Sequence, residues 1–342
     1  MRILRFFLFP FSIVYMCITS FRNLLFDFGI FTSQSYEVPS LGIGNLSVGG
    51  TGKSVAIDYF ISVFISSYPV TVLSRGYGRI SKGYQLANES STPETIGDEP
   101  MMFLNSYPNI RMAVSNKRRE GMNRLLTDPD QPKGSVFLWD DCFQHRWVKP
   151  KAMILLTTFS APYTKDFHLP VGNLRELSEG AQRADVIIVT KCPKNITEKQ
   201  KKSIQQSIQL KRHQHLFFAK IAYSENIFNN ERLLPVSMLE KIPFLLVTGI
   251  ADPRLLVEYL DSKFLSFDHI AFSDHHLFST KDVERIRTKS NGSMVLTTQK
   301  DYVRLVNKFD SNLLFYLPIK MEILDGKAAE LNAMVSSKMG LA

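Results

Sequence analysis

The chain has 342 residues and a formal net charge of +9, with 44% apolar and 21% charged residues. This length and composition allow one large or two medium buried cores and exclude wholesale disorder. Three scattered cysteines (Cys17, Cys142 and Cys192) argue against a disulfide framework or a metal cluster and favour a reducing cytoplasm. The positive charge predicts an anionic partner, such as a phosphorylated substrate or an acidic membrane surface. Nucleic acid is not predicted as a partner, because zinc-finger spacing and RNA-binding aromatic signatures are missing.

Residues 4–30 are apolar and rich in phenylalanine. Their most continuous apolar stretch, residues 6–18, is shorter than the roughly 20 residues that a spanning helix needs. A secretory signal is a rival interpretation, but no small-x-small cleavage site follows the apolar stretch. We predict a helix that lies in the membrane interface, and the alternative is a hydrophobic helix docked on the protein's own core. In the membrane interpretation the aromatic side chains enter the lipid, and the basic residues near the headgroups are Arg2, Arg5 and Arg22.

After residue 30, short apolar strands alternate with helical stretches, which predicts an α/β fold with a mainly parallel sheet. Continuous apolar runs such as VIIVT predict strands buried on both faces. Predicted strands cover residues 40–44, 70–74, 110–114, 135–139, 152–156 and 185–190. Predicted helices cover residues 53–67, 99–106, 117–126 and 197–212.

A polar, asparagine-rich stretch then interrupts the pattern, and we predict it to be a linker. A second α/β set follows, with predicted strands at residues 244–248, 264–270, 293–297 and 313–317. The predicted organisation is a membrane-associated helix (1–30), a P-loop domain with an α/β/α arrangement (31–222), a linker (223–242) and a smaller C-terminal α/β domain (243–342).

The segment GIGNLSVGGTGKS runs from a predicted strand into a predicted helix. Its glycines allow backbone N–H groups to wrap a phosphate, Lys53 reaches the β- and γ-phosphates, and Ser54 offers a hydroxyl to Mg²⁺. The strict pattern G-x-x-x-x-G-K-[ST] would place a glycine where this chain has Ser47. The glycine density, the preceding strand and the following amphipathic helix still predict a nucleotide site. Its residues are Ser47, Val48, Gly49, Gly50, Thr51, Gly52, Lys53 and Ser54.

Two acidic pairs bear on what happens to the nucleotide. A GTPase would carry an N-K-x-D motif, and the nearest segment, TKCP at residues 190–193, lacks the aspartate. A kinase needs carboxylates for Mg²⁺ and one that accepts the proton of the acceptor hydroxyl. Asp98-Glu99 precedes a predicted helix, although Asp98 could simply cap that helix. Asp140-Asp141 follows the apolar strand SVFLW, at the sheet edge that faces the ligand crevice.

Eight motifs together carry a resemblance to a known family. They are GNLSVGGTGKS (44–54), LSRGYGR (73–79), GDEP (97–100), DDCFQHR (140–146), LPVGNLRE (169–176), GIADP (249–253), FSDHH (272–276) and TTQKD (297–301). On these motifs the chain resembles the tetraacyldisaccharide 4'-kinases of lipid A biosynthesis. The resemblance implies transfer of the ATP γ-phosphate to the 4'-hydroxyl of a lipid-linked glucosamine disaccharide 1-phosphate. It also implies two α/β/α domains, an active site in the cleft between them and a place at the cytoplasmic face of the inner membrane.

The resemblance further implies roles for individual residues. Asp98 would be the general base, His275 would pair with it in a dyad, and Lys53 would hold the β- and γ-phosphates of ATP. Arg75 and Arg175 would contact phosphate or the substrate headgroup. The Mg²⁺ ligands would be Ser54, Glu99, Asp140 and Asp141.

Three positions depart from the family pattern. Cys142 stands where glycine is usual, so we expect either a different turn after Asp141 or an ordinary φ at Cys142. Gln299 replaces a usual glutamate, so no charge is needed there, and Asn173 stands where proline is expected. Outside the motifs, the pair Arg118-Arg119 is expected to be a solvated helix face.

Two other functions stay open on the residues alone. A membrane-peripheral nucleotide hydrolase, acting as a switch or chaperone, would share the phosphate loop but would not need the GDEP and FSDHH pairing. A non-catalytic scaffold on anionic membranes would leave both acidic pairs unexplained.

Overall fold

The apolar runs of the sequence form two mainly parallel sheets in the computed structural model, which describes residues 5–263 and 266–341. In chain order the strands are β1 (Gln34–Ser35), β2 (Ser40–Asn45), β3 (Val70–Ser74), β4 (Gln85–Leu86), β5 (Arg111–Val114), β6 (Val136–Asp140), β7 (Val148–Lys149), β8 (Ala152–Thr158), β9 (Val186–Thr190), β10 (His215–Tyr223), β11 (Asn226–Phe228), β12 (Leu233–Pro235), β13 (Phe244–Thr248), β14 (Phe267–Ala271), β15 (Met294–Thr298), β16 (Leu314–Leu317) and β17 (Ile319–Ile323). The α-helices are α1 (Phe9–Asp27), α2 (Lys53–Phe64), α3 (Pro93–Ile96), α4 (Asp98–Ser106), α5 (Arg118–Thr127), α6 (Glu198–Ile208), α7 (Arg254–Asp261), α8 (Thr280–Ser290), α9 (Gln299–Leu305) and α10 (Ala328–Met339). Short 3₁₀ turns cover Tyr163–Lys165, Ser178–Arg183 and Val236–Glu240.

The larger sheet has the strand order β17-β10-β9-β8-β2-β6-β3-β5-β4, and only its two outermost pairings are antiparallel. Strands β2, β3, β6 and β9 are buried along their whole length, as the continuous apolar runs predicted. The smaller sheet has the order β12-β11-β16-β15-β13-β14 and is parallel from β16 to β14. We call these two parts the phosphate-loop unit and the second unit. The predicted α/β fold class is confirmed.

The predicted linker, residues 223–242, differs from what the structure shows. It contains β11, β12 and a 3₁₀ turn of the second unit, and Ile227 is fully buried there. The asparagines form the turn of the β11–β12 hairpin, where the Asn229 side chain accepts hydrogen bonds from the Glu231 and Arg232 N–H groups. Asparagine is a favoured turn residue because its side chain bonds nearby backbone, so the composition marked a hairpin turn.

The C-terminal boundary also differs from the prediction. After β16 the chain returns to the phosphate-loop unit, where β17 pairs with β10 and α10 packs on the same core as α2. The chain passes between the units twice, and the two crossings are joined by a hydrogen bond from Ser224 N–H to the Pro318 carbonyl (3.0 Å). In the predicted strand at 264–270, β14 begins at Phe267, and residues 264 and 265 lie outside the described residues.

Helix α1 places a polar face on the protein and leaves an apolar face open. Inward residues recur at helical spacing: Ser12 donates to the His168 carbonyl (3.0 Å), Tyr15 to the Arg175 carbonyl (3.1 Å) and Asn23 to Glu176 (2.8 Å). The outward side chains, between 57% and 66% exposed, are Phe11, Val14, Ile18 and Phe21. Among the described residues α1 alone is long and apolar enough to cross a membrane, with a mean hydropathy of 1.3. Of the basic residues predicted near headgroups, Arg5 is exposed, Arg22 bonds Asn23 within the helix, and Arg2 lies outside the described residues.

The return of α10 to the first core predicts the effect of a single truncation. Leu331 is fully buried on α10, so Leu331→Ala should lower the free energy of unfolding by about 2–5 kcal/mol through the cavity it leaves. Ser337 is exposed on the same helix, and Ser337→Ala should change it by less than about 0.5 kcal/mol. Urea denaturation followed by circular dichroism measures both. Equal stability of the two variants would contradict the packing of α10 on this core.

Candidate active site

The phosphate loop joins the end of β2 to the start of α2. Gly49 and Gly52 have φ of 106° and 91°, in the left-handed region that favours glycine. Asn45 donates one hydrogen bond to Thr51 Oγ1 (2.8 Å) and another to the Ser47 carbonyl (2.6 Å), so the strand end holds the loop in shape. Ser47 pairs with Leu174 in an isolated antiparallel bridge. An extended backbone of that kind needs no glycine, which explains the departure from the strict motif.

The neighbouring loop 166–175 supports the phosphate loop from one side. The Val48 N–H donates to the Asn173 carbonyl (2.8 Å), and the Asn173 side chain is held by Asp166 (3.0 Å). Asn173, at the position where proline was expected, therefore fixes its own loop through its side chain.

Lys53 lies at the start of α2 beside Asp141. The Lys53 Nζ atom is 3.6 Å from Asp141 Oδ1 and 3.4 Å from Asn45 Oδ1. Arg175 Nη1 reaches the same carboxylate at 3.2 Å. Burial alone would raise the pKa of Asp141, but the charges of Lys53 and Arg175 outweigh it and lower the pKa. The carboxylate is therefore ionised and adjoins the place where the loop would hold phosphate.

Asp140 is almost completely buried at the end of β6. Its Oδ2 atom accepts a hydrogen bond from Ser74 (2.8 Å), while Oδ1 has no partner among the described residues. Burial, followed by the charges of Glu99 and Asp141, raises the pKa of Asp140 to about 6. A buried carboxylate oxygen without a donor is the kind of atom that a cation would satisfy.

Arg118 corrects an expectation, because it is buried and not part of a solvated face. Its guanidinium donates to the Asp140 carbonyl (2.6 Å) and to the Ser115 carbonyl, which fixes the end of β6. Arg119, the other member of the pair, is exposed, as expected for a solvated face.

The turn after Asp140 shows how cysteine replaces the usual glycine. The left-handed conformation lies at Asp141 (φ 46°), and Cys142 has an ordinary φ. A side chain on Gly42 would lie 2.7 Å from Cys142 Sγ, so Gly42 makes the space that the thiol fills. Burial raises the pKa of the Cys142 thiol to about 12, which leaves it protonated and unreactive.

Asp98 and His275 come from different units and meet in the cleft. The His275 Nδ1 atom lies 3.3 Å from Asp98 Oδ2, and Arg304 Nε lies 2.9 Å from the same oxygen. On the other side of the ring, Lys300 Nζ is 3.4 Å from His275 Nε2. Because a lysine ammonium only donates, Nε2 is the acceptor and Nδ1–H points to Asp98. His275 has a φ of 55°, a strained conformation for a residue of this type.

Glu99 makes a second contact across the cleft. Lys300 Nζ is 2.7 Å from Glu99 Oε1. Burial would raise the pKa of Glu99, but Lys300, the Ser54 hydroxyl and Lys53 together lower it. Gln299 adds a neutral hydrogen bond across the same interface, to Ser106 Oγ at 2.6 Å, so the missing glutamate charge is replaced by an amide contact.

The structure thus brings most of the predicted residues together but leaves one apart. Arg175 contacts Asp141 and also Gln144 (3.0 Å). Arg75 follows β3, is exposed and forms no ion pair with any residue in the described ranges. Sequence reasoning gave no role to Lys300, Arg304 or Gln144. Lys300 and Gln144 lie inside the TTQKD and DDCFQHR motifs, which could have identified them, whereas Arg304 lies outside every motif.

The chain matches a family model described as tetraacyldisaccharide-1-P 4'-kinase over residues 4–339. A tetraacyldisaccharide 4'-kinase of Flavobacterium johnsoniae is 43% identical over 325 residues, covering 95% of this chain and 94% of the relative. One from Bacteroides thetaiotaomicron is 39% identical, covering 95% and 90%. A crystal structure described as the apo form of LpxK from Aquifex aeolicus in complex with ATP has a TM-score of 0.77 at 27% identity, covering 98% of this chain and 99% of that one. The protein therefore belongs to the tetraacyldisaccharide-1-P 4'-kinase family.

Proposed function

We propose that the cleft described above carries out the reaction for which the family is named, with the phosphate loop holding ATP and the dyad of Asp98 and His275 acting on the acceptor. The reaction is ATP-dependent phosphorylation of the 4'-hydroxyl of a tetraacyl disaccharide 1-phosphate in lipid A biosynthesis. The carrying observation is the contact between Asp98 and His275, which joins the two units beside the phosphate loop. A nucleotide hydrolase acting as a switch is not favoured, since it would need no such base beside an acceptor site.

Asp98 takes the proton of the acceptor hydroxyl as the hydroxyl oxygen attacks the γ-phosphorus of ATP. The bond between the γ-phosphorus and the bridging oxygen breaks, and ADP leaves. A sugar hydroxyl is a weak nucleophile, and a positioned base contributes about 10²–10⁴-fold. His275 donates through Nδ1 to Asp98 and so fixes the direction of the carboxylate. Arg304 Nε is 2.9 Å from Asp98 Oδ2, the oxygen that His275 also contacts. Asp98 Oδ1 is therefore the atom that receives the proton.

Lys53 and Arg175 offset charge on the transferring phosphate and its neighbours. Both cations lie within 3.6 Å of Asp141. Lys53 also begins α2, where backbone N–H groups favour anions. Preorganised positive groups of this kind stabilise the transition state, because they need no rearrangement as charge develops. Arg75, exposed at the end of β3, would contact the substrate headgroup.

Magnesium fits the residues present, with Ser54, Glu99, Asp140 and Asp141 as ligands directly or through water. Asp140 Oδ1 is buried without a donor among the described residues, and the charges of Glu99 and Asp141 act on Asp140. The pKa values of Glu99 and Asp141 are themselves lowered, so both are ionised acceptors. Within the described ranges no group of three acidic, histidine or cysteine side chains is arranged to hold a metal ion by itself. Mg²⁺ commonly takes one or two carboxylates and completes its shell with water and phosphate oxygens. When bound, it would offset negative charge on the transferring phosphate.

The apolar face of α1 supports binding to an anionic membrane surface. Its outward phenylalanines, Phe11 and Phe21, are 66% and 64% exposed, while the net charge of +9 favours acidic lipids. An ATP site so close to this helix favours the cytoplasmic face of the inner membrane, with the helix peripheral or monotopic. A lipid-linked acceptor would then reach the cleft from the same surface, and nucleic acid is not a partner in this proposal.

Double replacement tests whether Asp98 and His275 act as one unit. Asp98→Asn should lower kcat by about 10²-fold or more, since the base is lost, and leave ATP binding nearly intact. His275→Ala should cause most of the same loss, and the double variant should be scarcely worse than Asp98→Asn, because residues that act together are not additive. Steady-state kinetics at saturating ATP measure this. Losses that multiply in the double variant would show two independent residues.

The raised pKa of Asp140 predicts a pH effect on stability. The folded protein holds this proton more tightly than the unfolded chain, so this residue's contribution to stability falls as pH rises through about 6. In Mg²⁺-free buffer, the Tm should be measured as the pH is raised from about 5 to about 7.5. Over this range the Tm of Asp140→Asn should fall less than that of the wild type. Asp130→Asn, an exposed aspartate, is the control and should follow the wild type. Parallel Tm profiles for all three proteins would contradict the buried, crowded carboxylate.

The membrane proposal is tested on the outward face of α1. Phe11→Ser combined with Ile18→Ser should lower binding to anionic phospholipid vesicles at least about tenfold, since each buried side chain contributes roughly 1.5–3 kcal/mol. The KM for lipid acceptor should rise while the KM for ATP stays unchanged. Leu233→Ser, on an exposed residue of β12, is the control. Vesicle co-sedimentation equal to that of the wild type would remove the membrane role of this face.

A further inference from the structure

Glu176, the last residue of the LPVGNLRE motif, is a fully buried carboxylate that lies between α1 and the phosphate-loop unit. Its Oε2 atom accepts hydrogen bonds from Asn23 Nδ2 (2.8 Å) and Arg183 Nη2 (2.8 Å). A side chain on Gly180 would meet the same oxygen at 2.8 Å, so the carboxylate is tightly enclosed. A charge enclosed in this way can move little, which suits a group that fixes its neighbours.

The other carboxylate oxygen leads towards the active site. Glu176 Oε1 accepts from Gln144 Nε2 (3.1 Å), and the same Gln144 nitrogen donates to the Asn45 carbonyl (2.8 Å). The side-chain oxygen of Gln144, Oε1, accepts a hydrogen bond from Arg175 Nη1 (3.0 Å). The Gln144 side-chain NH₂ group faces two acceptors, and its oxygen faces the Arg175 guanidinium. The amide therefore has only one orientation that satisfies all three hydrogen bonds.

From Gln144 two branches reach the residues that hold phosphate. Asn45 holds the phosphate loop through Thr51 and lies 3.4 Å from Lys53 Nζ. Arg175 contacts Asp141 at 3.2 Å, and its backbone carbonyl accepts from Tyr15 of α1 at 3.1 Å. An unbroken chain of hydrogen bonds therefore runs from Asn23 on the inner face of α1 to both Lys53 and Asp141.

We propose that Glu176 is a positioning residue that ties helix α1 to the phosphate loop and Arg175, so that the docked helix holds these groups in their reactive arrangement. The proposal rests on the proposed kinase function, and Glu176 touches no reacting atom. A buried ion pair is weak support for stability, because desolvation offsets its attraction, but it does fix geometry. Small displacements of phosphate-holding groups act on kcat, since these groups are aligned for the transition state.

Asn23→Ala tests the proposal, because it breaks the chain at α1 and leaves Glu176 with Arg183 and Gln144. Ser12→Ala is the matched control, since it also removes one hydrogen bond between α1 and the body, but on the His168 carbonyl outside the chain. Kinetics are measured on full-length proteins with lipid acceptor in detergent micelles, together with Tm and binding to anionic vesicles. Asn23→Ala should lower kcat about tenfold, as expected for one hydrogen bond to a charged group. KM for lipid, vesicle binding and Tm should match those of Ser12→Ala.

Glu176→Gln is the second variant. Its amide would place a donor against Gln144 Nε2 and force that side chain to turn, which would bring an NH₂ group against Arg175. Its loss in kcat should therefore be at least as large as that of Asn23→Ala. Wild-type kcat in Glu176→Gln, or equal kcat in Asn23→Ala and Ser12→Ala, would overturn the proposal. A fall in kcat that only follows a fall in vesicle binding would do the same, whereas inactivity of the wild-type chain would contradict the proposed function instead.

Discussion

The active site depends on one constraint: its charges come from two separate sheets and must meet across a cleft. Asp98 and Glu99 begin α4 in the phosphate-loop unit, while His275, Lys300 and Arg304 belong to the second unit. The pairs across the cleft are Asp98 with His275 and Arg304, and Glu99 with Lys300. Neither unit alone presents both the phosphate loop and the proposed base with its partner. In the proposed function the base is therefore complete only where the two units touch.

Basic side chains lie next to the acidic side chains of this cleft. Lys53 and Arg175 hold Asp141 ionised, and Lys300 does the same for Glu99, so both carboxylates stay charged despite burial. Asp140 is the exception, because burial and the charges of Glu99 and Asp141 outweigh the charge of Lys53 and raise the pKa of Asp140. A divalent cation among these three groups would remove that mismatch. The arrangement therefore suits a site whose charge balance is completed by metal and nucleotide.

Local motifs allowed much of the fold and site to be predicted. The phosphate loop and both acidic pairs are contiguous in sequence and follow or precede strands and helices, so local pattern was sufficient. The edges of the fold were harder. Strand β17 alternates buried and exposed residues at a sheet edge, and the turn asparagines before β12 resembled a linker. Such segments carry no continuous apolar run. Their positions in the sheets depend on pairing with strands that are distant in the sequence.

The missed contacts share a different cause. Arg118 is charged and lies at the start of a helix, so its pattern indicated solvent. Its guanidinium is nevertheless buried, because it donates to one carbonyl just after β5 and to another at the end of β6. Arg304 and Glu176 likewise act through partners more than a hundred residues away in the chain. Only the tertiary structure brings these groups together.

In the proposed function, the cleft joins a phosphate donor to an acceptor hydroxyl. The most direct measurement follows γ-labelled ATP with the wild-type protein, a tetraacyl disaccharide 1-phosphate, and the same lipid lacking its 4'-hydroxyl. The two-unit site predicts label on the 4'-oxygen of the intact acceptor and little ATP consumption with the deoxy lipid. Equal release of labelled inorganic phosphate with both lipids would contradict it and identify a hydrolase.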